Sequence, residues 1–310
     1  MDDRTEKLIM NIYKDLSKKF GDNLSKDVKL SNYSWFNLGG NAELFFKAND
    51  KHQLIEFLSE AKNKKLKTTI LGAGSNTLIR DKGFKGAVIK LGKSFSYAKL
   101  INEDILEVGA ATLDRKVANY AKDNNLENLE FLSCIPGSIG GAVIMNSGCY
   151  EYDISKVLLS VQAIDVEKLS EIEIKREDIQ FSYRGSNLPE ELIIISAKLK
   201  GLVGKKKEIE KRQAHLIERK KLSQPSQIKT CGSTFKNISE DKKAWMLIKE
   251  AGCENMSEGD ASISQKHCNF FVNNGRAKSL DIENLIKKVK KKVHERTGVN
   301  LELEIKIIGE

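Results

Sequence analysis

Two glycine-bearing loops are the residues of this chain best suited to chemistry. Leu71-Gly72-Ala73-Gly74-Ser75-Asn76 follows the strand-like Thr68-Thr69-Ile70. Ile135-Pro136-Gly137-Ser138-Ile139-Gly140-Gly141-Ala142 runs into the apolar Val143-Ile144-Met145. Glycine leaves backbone N–H groups unshielded and permits positive φ, so such loops can wrap a phosphate or a pyrophosphate. Neither loop meets a standard nucleotide fingerprint. A dinucleotide turn requires G-x-G-x-x-G, and Thr77 stands where the third glycine belongs after Gly72 and Gly74. Gly86 to Ser94 ends in Gly-Lys-Ser, but it has one residue too many for a P-loop and a strand-like run fills it. Two cradles in one chain still suggest a dinucleotide or another extended phosphate ligand.

Metal chemistry is not expected. The cysteines Cys134, Cys149, Cys231, Cys253 and Cys268 form no close pair, and His267-Cys268 would point to opposite faces of a strand. They read as small buried or loop residues in a reducing compartment. Cys231 stands two residues before Ser233, so its oxidation is expected to impair activity.

The elements that position these loops follow from periodicity. At 310 residues the chain is long enough for two or three domains. No apolar run approaches the roughly 20 residues of a membrane span, and the acidic N-terminus lacks a signal-peptide core. A cytoplasmic protein is expected. The net charge of +9 raises nucleic acid as a partner. However, Ile282, Leu285, Ile286, Val289 and Val293 recur at helical spacing and leave the lysines around Lys287 to Lys292 on the wet face. Residues 1–32 read as an amphipathic helix and approach segment, with Leu8, Ile9, Ile12, Tyr13 and Leu16 on one face. Strands are expected at 43–47, 68–71, 87–91, 105–108, 157–166, 192–199, 269–273 and 301–308. Helices are expected at 51–63, 113–124, 205–222, 241–251 and 279–296. Interleaving without a regular βα rhythm predicts an α+β fold, with a boundary at the charged segment 204–208.

Six ordered motifs then carry a resemblance. They are Phe36-Asn37-Leu38-Gly39-Gly40-Asn41-Ala42-Glu43, residues 71–76, residues 132–146, Phe181-Ser182-Tyr183-Arg184, Gly232-Ser233-Thr234-Phe235-Lys236-Asn237 and Leu301-Glu302-Leu303-Glu304-Ile305. From about Ser34 to the C-terminus the chain resembles the flavin-dependent UDP-N-acetylenolpyruvoylglucosamine reductases of peptidoglycan synthesis, in the shorter type that lacks a tyrosine-bearing loop over the substrate. The resemblance implies a two-lobed FAD-binding domain of the vanillyl-alcohol-oxidase type over 33–201, with lobes at about 33–95 and 96–201. It implies a C-terminal α+β substrate domain over 205–310. Gly72, Ala73, Gly74, Ser75 and Asn76 would hold the FAD pyrophosphate. Pro136, Gly137, Ser138, Gly140, Gly141 and Ala142 would line the other side of the cofactor.

The implied reaction is NADPH reduction of FAD, then hydride delivery to the enolpyruvyl methylene carbon of a UDP-amino sugar, then protonation of the adjacent carbon. Arg184 would grip the substrate carboxylate, which a guanidinium does better than an ammonium. Glu304 would stabilise the forming enolate, and Ser233 would give the proton, held by hydrogen bonds against a strongly basic centre. Tyr183, Lys236, Asn237 and His267 would line the substrate pocket. Read without the resemblance, the same residues are ordinary. Arg184 is a surface ion-pair partner and Ser233 a turn residue. Glu302 and Glu304 alternate with Leu301, Leu303 and Ile305 as the wet face of a half-buried strand. Two other readings stay open. One is an FAD-dependent alcohol or sugar oxidase of the same fold, although no histidine lies in a glycine loop to attach the flavin. The other is a basic nucleic-acid-binding protein. The resemblance leaves oligomeric state open, with a monomer as the working expectation.

Overall fold

A computed structural model describes residues 3–310, with side chains from Glu6 onward. The chain divides into two compact units. One comprises residues 1–27, 43–73 and 86–219, and the other residues 28–42, 74–85 and 220–310.

The first unit begins with helix α1, Asp3–Phe20. Ile12, Leu16 and Phe20 are buried while Leu8 is exposed, so the apolar stripe is narrower than the sequence suggested. A strand at Leu24–Lys29, unforeseen in the sequence, edges a four-stranded sheet with Asn41–Ala48, Phe84–Leu91 and Thr68–Ile70. Helix α2, Lys51–Asn63, starts where Asp50 accepts a hydrogen bond from the Gln53 N–H. It buries Leu54, Phe57, Leu58 and Ala61 against this sheet's core. Phe46 and Phe57 stack there with ring centroids 3.9 Å apart, and Phe20 packs edge-on to both.

A second sheet in this unit is antiparallel throughout. It runs Ser170–Lys175, Leu158–Asp165, Leu192–Lys200, Ile105–Gly109 and Ala98–Leu100. Its apolar face meets helix α3, Asp114–Asp123, and a short helix α4, Ile139–Ile144. The glycine stretch therefore does not stay a loop: its second half is helical. Helix α5, Lys206–Ser223, carries the chain onward.

The second unit contains helices α6, Ala244–Glu250, and α7, Ser279–Thr297. α7 buries Ile282, Leu285, Ile286, Val289 and Val293, with Lys287, Lys288, Lys291 and Lys292 exposed, as the periodicity predicts. Gly298, at φ +71, ends it by donating to the His294 C=O. Its core also holds Phe36, Leu78, Phe235 and Phe271. The expected strand over 301–308 is interrupted. Leu303 bridges antiparallel to Phe235, while only Lys306–Ile308 forms a strand, parallel to Thr77–Ile79. The segment changes partners at Glu304-Ile305, and a strand cannot serve both in one register. Among the described residues no helix is long and apolar enough to cross a membrane.

Candidate active site

The upstream loop leaves its sheet after the Leu71 N–H donates to the Ile89 C=O at 2.9 Å. Beyond it, among the described residues, none of the backbone N–H groups of residues 72–76 donates a hydrogen bond within the protein. Backbone donors rarely go without a partner unless water or a ligand takes them. The two glycines differ in purpose. Gly74 sits at φ +70, and a Cβ there would fall 1.8 Å from the Tyr33 carbonyl oxygen. Gly72 is exposed, and a Cβ there would meet only the Ser138 hydroxyl, at 3.1 Å. That contact places the two glycine loops side by side.

The downstream loop is fixed by an isolated bridge between Leu113 and Ser138. Asp114 N–H donates to Gly137 C=O at 3.1 Å, Ile139 N–H to Thr112 C=O at 3.0 Å, and Gly140 N–H to Ala110 C=O at 2.9 Å. Gly137 and Gly140 are packing glycines, since a Cβ would come within 2.6 Å of Asp114 Oδ2 and 3.2 Å of Ala110 Cβ respectively. Gly141 is exposed, with nothing closer than 4.0 Å to where a Cβ would lie. Pro136 is exposed, while Ser138 and Ala142 are buried. Open glycine faces at 72 and 141, with unpaired backbone donors at 72 and 73, make a cradle that fits the phosphates of a dinucleotide cofactor.

Two residues beside these loops were missed in the sequence. Lys90 donates to the Gly72 C=O. Burial, aided by the charge of Lys47, pushes its ammonium below the usual lysine range. A lysine inside the apolar run 87–91 was the available signal. Asp114 is fully buried, and neither carboxylate oxygen has a hydrogen-bond partner among the described residues. Burial holds its carboxyl well above the usual carboxylate range, with the Gly137 backbone acting weakly in the other direction. Burial thus favours the protonated form of this acid behind the second glycine loop.

Arg184 belongs to the same unit. It occupies a two-residue turn with Tyr183 between Phe181–Ser182 and Gly185–Ser186, at φ +57. Its Nη2 donates to the Gly148 C=O at 2.9 Å, and the guanidinium lies 5.0 Å from the Tyr183 ring centroid. Ser186 donates to the Ile144 C=O and Asn146 to the Ser182 C=O, which ties this turn to the end of α4.

The second unit brings Ser233 and Glu304 onto neighbouring backbone segments. Ser233 bridges antiparallel to Phe270, and Thr234 N–H donates to Asn269 C=O at 2.7 Å. On the other edge Glu304 N–H donates to Thr234 C=O at 2.9 Å, and Lys236 N–H to Glu302 C=O. Buried Asn269 clamps Phe235 through both its N–H and its C=O, at 3.0 and 2.7 Å. Asn269 was also missed, because a single asparagine in a strand pattern carries no signal of its partner. Asn76 lies in this unit, with its Nδ2 donating to the Glu304 C=O.

The remaining candidates are placed as follows. Lys236 Nζ lies 3.7 Å from the Glu302 carboxylate, so that exposed glutamate is an ion-pair partner. Asn237 accepts from the Ala244 N–H at 3.0 Å, which sets the start of α6 three residues later than expected. His267 packs edge-on to Phe270, accepts from the Asn269 N–H at 3.3 Å, and is pushed below the usual histidine range by burial. The expected redox sensitivity of Cys231 meets a physical obstacle. Its thiol is buried against the carbonyls of Gly74 and Thr77, and burial pushes it up to about 12. A buried neutral thiol is a poor nucleophile. Among the described residues no group of three or more His, Cys, Asp or Glu could hold a metal ion.

The α+β frame carries the class of an FAD-dependent oxidoreductase: a protein-family model described as an FAD binding domain matches residues 42–168. A second model, the UDP-N-acetylenolpyruvoylglucosamine reductase C-terminal domain, matches residues 224–308. The UDP-N-acetylenolpyruvoylglucosamine reductase of Pelagibacter ubique is 46% identical over 92% of this chain and 94% of its own. That of Orientia tsutsugamushi is 42% identical over the same shares. The crystal structure of the Thermus caldophilus reductase superposes with a TM-score of 0.79 at 31% identity, covering 91% of this chain and 98% of that one. The chain belongs to the UDP-N-acetylenolpyruvoylglucosamine reductase family.

Proposed function

We propose that the chain reduces UDP-N-acetylenolpyruvoylglucosamine to UDP-N-acetylmuramate, with FAD as cofactor and NADPH as reductant. The observation that carries the reading is the ladder from Thr234 to Glu304, which sets a hydroxyl and a carboxyl on adjoining segments of a family-matched domain. Residues 33–201 supply the flavin domain, with 72–75, the backbone of Asn76 and 136–142 against the cofactor, and 205–310 supply the substrate domain. The chemistry that bound FAD provides is hydride transfer, passing electrons from NADPH to the terminal methylene carbon of the enolpyruvyl group.

The protein's own residues do the rest. Arg184 holds the substrate carboxylate bidentately, from a turn whose backbone is already fixed. As the double bond accepts hydride at one carbon, negative charge grows toward that carboxylate, and Glu304 stabilises it. Ser233 then gives its hydroxyl proton to the adjacent carbon, completing the lactyl ether, and is reprotonated from solvent. Lys236 meets the substrate diphosphate as a point charge, exchanging its exposed partner Glu302 at little cost. Asn237, Tyr183 and His267 shape the pocket, His267 as a neutral imidazole. Cysteines kept as thiols and a nucleotide-sugar substrate suit the cytoplasm.

Stopped flow tests the assignment. Ser233→Ala is expected to accept electrons from NADPH into FAD at the parent rate, while reoxidation by the enolpyruvyl sugar nucleotide slows by roughly 100-fold or more. Equal slowing of both half-reactions assigns Ser233 a structural role.

A further inference from the structure

Family likeness gives Asn76 to the cofactor's pyrophosphate, yet its side chain is engaged elsewhere. Its Nδ2 donates to the Glu304 C=O at 3.0 Å. Its own C=O accepts from the Lys306 N–H at 2.9 Å. The two bonds bracket Glu304 and Ile305, where the C-terminal segment leaves Phe235 and joins Thr77–Ile79. On the other side the Glu304 N–H is held by the Thr234 C=O, next to Ser233. Within a regular strand, neighbouring strands satisfy both backbone groups of a residue. At Glu304 a strand-like segment supplies one partner and a single side chain, 228 residues away, supplies the other.

That placement has a chemical consequence. The direction of a carboxyl is set by the peptide units on either side of its Cα. A side-chain clamp on one of them decides where the acid points at a place where the ladder has lapsed. We infer that Asn76 is a positioning residue for Glu304: its amide fixes the acid's peptide unit, so that the carboxyl meets the developing enolate in one orientation. Asn76 touches neither reacting carbon and acts through Glu304. The inference rests on the reductase reading above.

The test uses the FAD-loaded full chain. Misplacing a catalytic group by about 1 Å can cost about 100-fold in rate. Asn76→Ala is therefore expected to slow reoxidation by substrate roughly 10- to 100-fold, while flavin reduction by NADPH stays within about twofold. Asn76→Asp, which keeps the shape but faces an acceptor to the Glu304 carbonyl, should lose at least as much. Asn76→Ser keeps a short donor and should recover part of the rate. The deciding comparison is made in a Glu304→Gln background, where adding Asn76→Ala should change reoxidation less than about twofold, since the coupled partner is already gone. Additive losses there overturn the inference, and so does parallel slowing of both half-reactions. Loss of FAD from every variant assigns Asn76 to the cofactor and overturns it as well. Reoxidation of the parent enzyme by the substrate checks the reductase reading separately, and its absence overturns both.

Discussion

Glycine at a given position can serve the fold or leave room for a ligand, and the residues of the two loops divide cleanly on that question. Gly74 and Gly137 are glycine because backbone or side-chain atoms already occupy the place of a Cβ, and at Gly140 a Cβ would press on Ala110 Cβ at 3.2 Å. Gly72 and Gly141 face outward, so their bare faces are available to the cofactor. Gly141→Ala is therefore expected to act with opposite signs. It should stabilise the cofactor-free protein by about 0.5–1 kcal/mol, because alanine is the better residue inside a helix. It should weaken FAD binding, measured by titrating the apoprotein and following flavin fluorescence. The sequence displayed all these glycines alike. Their division needed the neighbours, since Tyr33, Ala110 and Asp114 lie between 23 and 41 residues away from the glycines they exclude.

Elements were legible where their signal is local. α2 has its expected bounds, and α7 falls within a residue of them, because an apolar stripe of period 3.6 needs no distant partner to be recognised. The start of α7 is another matter. Its Ser279 and Leu280 N–H groups donate to the Asp81 carboxylate, at 2.9 and 3.1 Å, and Arg80 next door pairs with Glu283 through two hydrogen bonds. A cap brought from 198 residues away leaves no mark at the helix itself. Asp81→Ala is expected to cost about 1 kcal/mol, seen as a lower urea midpoint with an unchanged slope. The 301–308 segment was read as one strand because alternation of Leu and Glu persists through it. The change of partner at Glu304-Ile305 is decided by Phe235 and Thr77–Ile79.

At the scale of the whole molecule, the titration of the fully buried Asp114 belongs to folding. Burial holds the Asp114 carboxyl well above the usual range in the folded state. With a raised folded value, its contribution is fully present below the unfolded value of about 3.9 and declines as pH rises above it toward the folded value. Asp114→Asn removes that titration. The variant's melting temperature, relative to the parent, should therefore rise steadily from pH 4 to pH 7.5, with the variant melting no lower than the parent at the upper end. A gap independent of pH would show that Asp114 is ionised in the folded protein. At this scale the second unit is assembled from three stretches, 28–42, 74–85 and 220–310, which the boundary read at 204–208 could not anticipate.

By itself the sequence determined the longer helices, the central strands of the two larger sheets, the two glycine loops and, through ordered motifs, the family. Each of these is written in spacing and residue type within a short window. Only the tertiary structure decided which glycine faces are open, that Asp114 is sealed behind Gly137, that the Cys231 thiol is buried against backbone carbonyls, and that Asn76 grips the peptide of Glu304. Those properties are set by what the rest of the chain packs into or leaves out of a given place, and no local pattern encodes the partner.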